Sequence, residues 1–247
     1  MDYWTNISYR WGKIIIKNKI VKYIFIICLY VFSLSVFSQP FPIPEDNEVS
    51  FDVIRKKKNI GSLISKFEDN EDSVVIHSVL EINVKVLFIP AYKFFQETKE
   101  TWKNGEFVSI DGFTDFEDDR EYKIIGNDED NFFIASGMDG ELKLDKNIVP
   151  LNYWNIEMLN EKEVFDTQKG IVRTIEVKQL EDEKIKINDI EILANKYVFN
   201  ASKNPKDKGP FPEYTLWYFE KELMKMEFKN PNDKKNIITI IRNDWSL

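Results

Sequence analysis

Short polar turns separate strand-like segments along almost the whole chain from residue 49 onward. The segment VSFDVIRK (49–56) alternates apolar and polar residues, a turn is predicted over 57–59, and IGSLISKFE (60–68) resumes the alternation. Asn104-Gly105 is the clearest turn, because both residues tolerate the positive φ of a type I′ hairpin. Alternating segments joined in this way predict consecutive antiparallel hairpins, and therefore an all-β fold.

The segment over 73–103 is too long for one straight strand, since it would extend roughly 100 Å at ~3.3 Å per residue. We expect two strands that meet or bend near Pro90, with strong curvature there. Helix-like spacing occurs only over 150–162, which predicts one short helix or irregular turn. Further strands are predicted over 120–127, 131–136, 141–144, 170–180, 183–187, 191–201 and 236–242.

These segments predict one domain over 49–247, built as a strongly curved antiparallel sheet. Such a sheet would form a half-barrel or a barrel-like meander with at most one or two short helices. Residues 39–48 contain three prolines and are predicted to form an extended leader.

The segment YTLWYFEKELMKMEF (214–228) has two opposed readings, because its second half consists of strong helix formers. With a period of two, Met224, Met226 and Phe228 share one face, whereas a helix would scatter them. The alternation therefore predicts two strands joined by a turn at Glu220-Lys221. The first strand has rings on both faces, which predicts a core position for Trp217.

The N-terminal segment resembles a secretory signal peptide. Four lysines between residues 13 and 22 precede an apolar run over 23–38, and Val36 and Ser38 form the small-residue pair of a cleavage site. We predict a signal peptide over 1–38, cleaved between Ser38 and Gln39, and export to the periplasm or cell exterior of a bacterium. The alternative is a retained membrane anchor, but serines shorten the apolar core below the roughly 20 residues of a spanning helix.

Cys28 lies in the middle of that apolar run and follows two isoleucines, which disfavours a lipid attachment site. Since it is the single cysteine of the chain, a mature protein would have no disulfide, thiolate metal site or cysteine nucleophile. The protein would then depend on a sizeable core for its stability.

The charge of the mature chain is strongly negative. Five of the 34 basic residues and one of the 42 acidic residues lie within 1–38, which leaves a net charge of −12. A negative surface repels nucleic acid phosphates and anionic membranes, so nucleic-acid binding is disfavoured. A membrane association is expected only through an uncleaved signal segment.

His77 is the only histidine and lies on a predicted strand face with Val75 and Val79. A lone histidine of this kind is usually structural, and no second histidine or cysteine completes a familiar zinc site. No G-x-S-x-G elbow or phosphate-binding loop is present. We predict no catalytic residue, no metal site and no cofactor.

Clusters of acidic residues, such as FEDNED (67–72) and DFEDDRE (115–121), lack the spacing of a calcium loop and are expected to be solvated turns. Paired carboxylates could also hydrolyse glycosides, but that chemistry depends on their separation in space. A carboxylate-based hydrolase therefore stays as an alternative.

Large aromatic residues are abundant for one β domain, and most must be core. On a strongly curved sheet some could instead line a concavity that binds an apolar ligand. The candidates for such ligand binding are Phe88, Tyr153, Trp154 and Trp217.

Several motifs together resemble an uncharacterised family of exported bacterial envelope proteins, a domain of unknown function. They are Ile60-Gly61, the Trp-x-Asn-Gly turn over 102–105, Trp154-Asn155, the Asp-Thr-x-x-Gly turn over 166–170, and Leu216-Trp217-Tyr218. Lys58 stands where a turn glycine is expected, and the closing hairpin lacks the usual Asp and Gly. The resemblance implies an envelope location and a β-rich fold, distantly similar to curved-sheet lipoprotein carriers, but no reaction.

The leading hypothesis is a non-enzymatic envelope protein that binds a hydrophobic small molecule or lipid in a curved β-sheet. The first alternative is a structural or protein-interaction component of the envelope without a small ligand. The second is the carboxylate-based hydrolase.

Overall fold

The structure, a computed structural model, describes residues 43–70, 72–86, 89–116, 120–207, 211–230 and 233–246. The predicted signal peptide, its cleavage site at Ser38 and Gln39, and the first part of the predicted leader lie outside these residues. The described residues all belong to one compact unit.

The alternating segments form the strands β1 (Glu48–Arg55), β2 (Lys58–Asn70), β3 (Ser73–Val86), β4 (Ile89–Lys103), β5 (Glu106–Asp115), β6 (Glu121–Glu129), β7 (Phe132–Gly137), β8 (Gly140–Asp145), β9 (Val149–Pro150), β10 (Glu163–Asp166), β11 (Ile171–Gln179), β12 (Glu183–Ile187), β13 (Ile190–Ala201), β14 (Tyr214–Phe219), β15 (Glu222–Asn230) and β16 (Asp233–Arg242).

One sheet contains all of these strands, in the order β8-β7-β6-β5-β4-β3-β2-β1-β16-β15-β14-β13-β11-β10-β9, with β12 paired to β13 alone. This order confirms the predicted all-β curved sheet, which is not closed into a barrel. The pairing departs from the antiparallel pattern at one end of the sheet, where β9 and β10 pair in parallel. Both strands are too short to show a clear alternation, and neither was predicted.

Three of the predicted reversals can be compared with the backbone. Asn104 and Gly105 have φ values of 51° and 81°, and Glu220 and Lys221 have values of 50° and 71°, so both predicted turns are confirmed. The chain also reverses near Pro90, since β3 and β4 pair from Val86 and Ile89 onward.

The turn predicted over 57–59 is displaced, because Lys56 and Lys57 occupy its left-handed positions. Lysine gives no sequence signal for that conformation. Asn59 instead belongs to β2, where its side chain accepts a hydrogen bond from the Gly61 N–H at 2.9 Å.

The sheet curls so strongly that strands from its two ends meet. The rings of Phe133 on β7 and Phe165 on β10 lie 6.0 Å apart, centroid to centroid. Beyond β7, the N–H of Met138 donates to the carbonyl of Lys169 at 2.7 Å. The concave face between these ends contains the larger hydrophobic core, with residues from β1–β7, β10, β11 and β13–β16.

A smaller core lies on the outer face, where β12 and the first half of β13 pack over β14 and β15. Its buried residues are Ile185, Ile187, Ile192, Ala194, Trp217 and Met224. β14 is therefore buried on both faces, as its rings predicted, and Trp217 is a core residue.

The loop over 151–162 enters the concave face and contains a 3-10 helix, Ile156–Asn160, at the position of the predicted short helix. Asn155 caps it by accepting a hydrogen bond from the Glu157 N–H at 3.0 Å. Met158 and Leu159 are buried in the core. Within the described residues, we find no helix with the length and apolar character to cross a membrane.

Candidate functional site

A cavity of about 510 Å³ lies on the concave face, between the curled sheet and the loop over 151–154. Its size falls within the roughly 300–1,000 Å³ of small-molecule sites. Alternate residues of the strands point into it, as the period of two requires. The apolar side chains on its wall include Leu63, Leu80, Ile82, Phe94, Leu223 and Met226.

Trp154 separates this cavity from the rest of the concave face. Its ring makes edge-on contacts with Phe67 at 5.9 Å and with Trp102 at 5.7 Å, measured between centroids. Those two rings fill the space beyond, at the far ends of β2 and β4. The cavity is therefore confined to the other half of the face.

Tyr153 is held in a backbone conformation that non-glycine residues seldom adopt, with a φ of 55°. Its carbonyl accepts a hydrogen bond from the Tyr218 hydroxyl at 2.6 Å. Its ring contacts Tyr214 at 5.1 Å and Phe199 at 6.1 Å. These contacts fix the loop against β13 and β14, so the part of the cavity wall that the loop forms is held by two strands of the sheet.

Glu100 lies on the cavity wall and is only 1 % exposed. Its Oε2 accepts hydrogen bonds from Asn152 Nδ2 at 3.0 Å and from Trp102 Nε1 at 3.2 Å. Burial raises the pKa of Glu100 to about 7, although the two hydrogen bonds act in the opposite direction. Near neutral pH this carboxyl is therefore partly protonated.

Hydroxyl groups lie across the sheet beside Glu100. Ser65 on β2 and Ser78 on β3 are direct cross-strand neighbours, and their Oγ atoms lie 2.7 Å apart. Ser78 is in turn opposite Thr98 on β4, which is 5 % exposed. All three line the cavity, so a band of uncharged polar groups interrupts its apolar wall.

A buried ion-pair network forms another part of the wall. Arg173 on β11, 1 % exposed, donates to Asp166 Oδ2 at 2.5 Å and to Asp207 Oδ2 at 2.9 Å. Lys169 also pairs with Asp207. Burial alone would raise the pKa of Asp207, but the bonds from Arg173 and Lys169 hold it at about 2.

Glu100 differs from the other two carboxyl groups on the cavity wall, because it does not belong to the ion-pair network. Asp166 and Asp207 are both bound to Arg173, whereas Glu100 has no cationic partner among the described residues. A carboxyl without a cation can be neutral and donate a hydrogen bond, which a carboxylate does not do.

The four residues predicted to bind a ligand do not all lie at the cavity. Tyr153 and Trp154 both line the cavity. Trp217 does not, because it lies in the outer-face core, where its Nε1 donates to Glu183 Oε2 at 3.3 Å. Phe88 lies outside the described residues, as do Ser38 and Gln39.

Glu100 and Asn152 were not identified from the sequence. A signal for Glu100 exists, because the alternation along β4 places it on the face of Phe94 and Trp102. No sequence signal connects Asn152 to it, since 52 residues separate the two.

His77 lies away from this cavity, on the outer face. Its Nε2 is 2.6 Å from Glu97 Oε1, and both side chains are almost half exposed. Across the described part of the chain, no group of three or more His, Cys, Asp or Glu side chains is placed to hold a metal ion.

The family model for a domain of unknown function, DUF6134, matches residues 51–240. This range extends from β1 to β16 and includes every described residue of the cavity wall. No curated protein matches the sequence.

Two solved structures are similar to this chain. One is a β-barrel-like protein of the domain of unknown function DUF1849 from Brucella abortus, at 10 % identity and a TM-score of 0.55, covering 80 % of this chain and 98 % of that one. The other is a "putative lipoprotein" from Parabacteroides distasonis, at 14 % identity and a TM-score of 0.33, covering 83 % of this chain and 97 % of that one. The first similarity supports the curved all-β fold, and the TM-score of the second is too low to support an argument.

Proposed function

We propose that this protein, which belongs to the DUF6134 family of domains of unknown function, binds an apolar small molecule or lipid without chemical conversion. The observation that supports the proposal is the cavity of about 510 Å³ on the concave face of the sheet. Aliphatic and aromatic side chains form most of its wall, and its polar groups include the hydroxyl band beside Glu100 and the buried ion-pair network of Arg173. This combination is typical of ligand-binding sites.

Contacts with neighbouring strands hold two aromatic residues of the wall in place. Tyr153 is held by a hydrogen bond and two ring contacts, and Trp154 is wedged between two further rings. An apolar ligand in the cavity would remove the apolar part of this wall from water, which is favourable.

Co-purification tests this proposal directly. The full-length chain is expressed in a bacterium and purified, and organic extracts are searched by mass spectrometry for bound lipid. In parallel, the delipidated protein is titrated with N-phenyl-1-naphthylamine, an apolar dye that fluoresces when it leaves water. We expect saturable dye binding and displacement of the dye by the extracted lipid.

Two tryptophan variants locate the site. Leu80→Trp fills the cavity and should weaken dye binding about 10-fold or more, as expected for the loss of roughly 1.4 kcal/mol of binding free energy. Leu193→Trp enlarges a leucine that is 57 % exposed on the outside, and should leave dye binding unchanged. Equal binding by both variants, or no binding by the wild type, would contradict the proposal.

We also propose that the protein acts outside the bacterial cytoplasm, on the basis of the basic and apolar N-terminal segment. Cell fractionation and the intact mass of the purified protein test this point. Export with cleavage predicts a mature chain that begins at Gln39, whereas a retained anchor predicts the full mass in the membrane fraction.

A further inference from the structure

One end of the cavity wall carries a buried amide oxygen without a hydrogen-bond partner and, on the neighbouring Glu100, a carboxyl oxygen that makes no hydrogen bond among the described residues. Asn152 Oδ1 is buried and has no hydrogen-bond partner among the described residues. Glu100 uses only Oε2 for its bonds to Asn152 and Trp102. Oε1 is therefore the atom that carries the proton when Glu100 is neutral.

Unsatisfied buried polar groups are rare in native proteins and call for an explanation, because each costs about 1–3 kcal/mol. Here the two groups are complementary. Glu100 offers a donor, its O–H, and Asn152 offers an acceptor, its Oδ1, and both residues line the same cavity. A single ligand atom that both accepts and donates a hydrogen bond would satisfy the pair.

We propose that Glu100 and Asn152 form a subsite for a hydroxyl group on an otherwise apolar ligand, an inference that rests on the proposed binding function. The hydroxyl oxygen accepts the proton of Glu100, and its hydrogen is donated to Asn152 Oδ1. The apolar part of the ligand lies along Leu80, Ile82 and Phe94, which line the same cavity.

Charged head groups fit this subsite less well. A ligand carboxylate would be buried beside the carboxyl of Glu100, with no cation bound to either group. A ligand ammonium would bury an ion pair with Glu100 at a position that is 1 % exposed, where the loss of hydration of both charges offsets their attraction. The cations that line the cavity are Arg55, Arg120, Lys169 and Arg173. Asp166 and Asp207 pair with the last two, and none of the four pairs with Glu100 in the described part of the chain.

Four probes of one chain length test the chemistry: 1-decanol, decyl methyl ether, decanoate and decylamine. Each competes with N-phenyl-1-naphthylamine at pH 7 on the delipidated full chain. The ether retains an acceptor but has no hydrogen for Asn152. We expect 1-decanol to compete at a concentration about 10-fold lower than the ether, the effect of one lost hydrogen bond in a buried site, and lower than decanoate or decylamine.

Variants assign the preference to Glu100. Glu100→Leu should lose the preference for the alcohol over the ether, whereas Glu100→Gln, which can still donate, should keep it. Glu97→Leu removes a carboxylate from the outer face of the same strand and should also keep it. Near-ultraviolet circular dichroism verifies that each variant is folded. If Glu100→Leu does not fold, the order in which the four probes compete on the wild type tests the hydroxyl subsite.

The outcomes separate the two proposals. If the dye binds but the alcohol and the ether compete equally, or if decanoate or decylamine competes best, the hydroxyl subsite is wrong and the apolar binding function stands. If the dye does not bind at all, both are wrong.

Discussion

Asn152 donates its Nδ2–H to Oε2 of Glu100 across 3.0 Å, from a loop that lies 52 residues further along the chain. The contact joins the loop over 151–154 to β4, and it fixes one end of the cavity. It also gives a buried carboxyl a neutral partner in place of a cation, which permits Glu100 to be protonated near neutral pH.

Glu100 should make the stability of the protein depend on pH. Its pKa rises from the usual 4.5 to about 7 on folding, so the folded state binds this proton more tightly. Its contribution is greatest below pH 4.5 and is lost as the pH rises to 7. We expect Glu100 to lower the free energy of unfolding by about 3 kcal/mol across this window. Urea denaturation at several pH values measures the effect.

Glu100→Gln should remove that dependence, because an amide does not titrate. Glu97→Gln, which changes a carboxylate that is 47 % exposed on the same strand, should retain it. Identical pH profiles for the wild type and Glu100→Gln would show that Glu100 does not titrate in this window.

Tyr218→Phe should destabilise the loop that carries Tyr153. The substitution removes the donor to the Tyr153 carbonyl, a bond of 2.6 Å, and leaves that acceptor unpaired. We expect a loss of about 1–3 kcal/mol in the free energy of unfolding. Tyr197→Phe is the matched control, since it removes a hydroxyl from the half-buried ring that contacts Tyr218. An equal effect of both substitutions would contradict the importance of the bond.

Arg173→Met should be the most destabilising of these substitutions. It would leave Asp166 and Asp207 buried without their shared cation, at a cost of about 3–5 kcal/mol. Lys184→Met breaks an ion pair whose partners are 70 % and 64 % exposed, and should cost less than about 1 kcal/mol. Chemical denaturation of both variants provides the comparison, and a small effect at Arg173 would argue against the network.

Substitution of Gly170 tests whether the stability of the protein depends on close backbone contact between the two ends of the sheet. A Cβ at this position would lie 2.7 Å from Gly137 Cα, whereas a Cβ at Gly140 would meet nothing within 4 Å. Both glycines have positive φ values, 66° and 85°, so alanine is strained at each. Gly170→Ala should therefore cost about 1–3 kcal/mol more than Gly140→Ala in thermal or urea denaturation. Equal losses in the free energy of unfolding for the two variants would mean that the contact between Gly170 and Gly137 does not restrict side-chain size at Gly170.

Local sequence patterns were sufficient to predict most of the strands and turns. The Asn104-Gly105 turn follows from residues that tolerate positive φ, and the Glu220-Lys221 turn follows from the alternation on either side of it. The turn at Lys56-Lys57 was displaced, because neither lysine signals a left-handed backbone. β9 and β10, of two and four residues, are too short for alternation to be recognised.

The sequence by itself determined that this chain forms an antiparallel sheet with aromatic residues on both faces of β14. Period-two alternation is a local property, so it can be recognised without knowing which strands pair. Only the tertiary structure decided that Trp217 belongs to the outer core, that Trp154 bounds a cavity, and that Asn152 meets Glu100. Those outcomes depend on the curl of the sheet and on a loop entering its concave face, and contacts between distant segments set both.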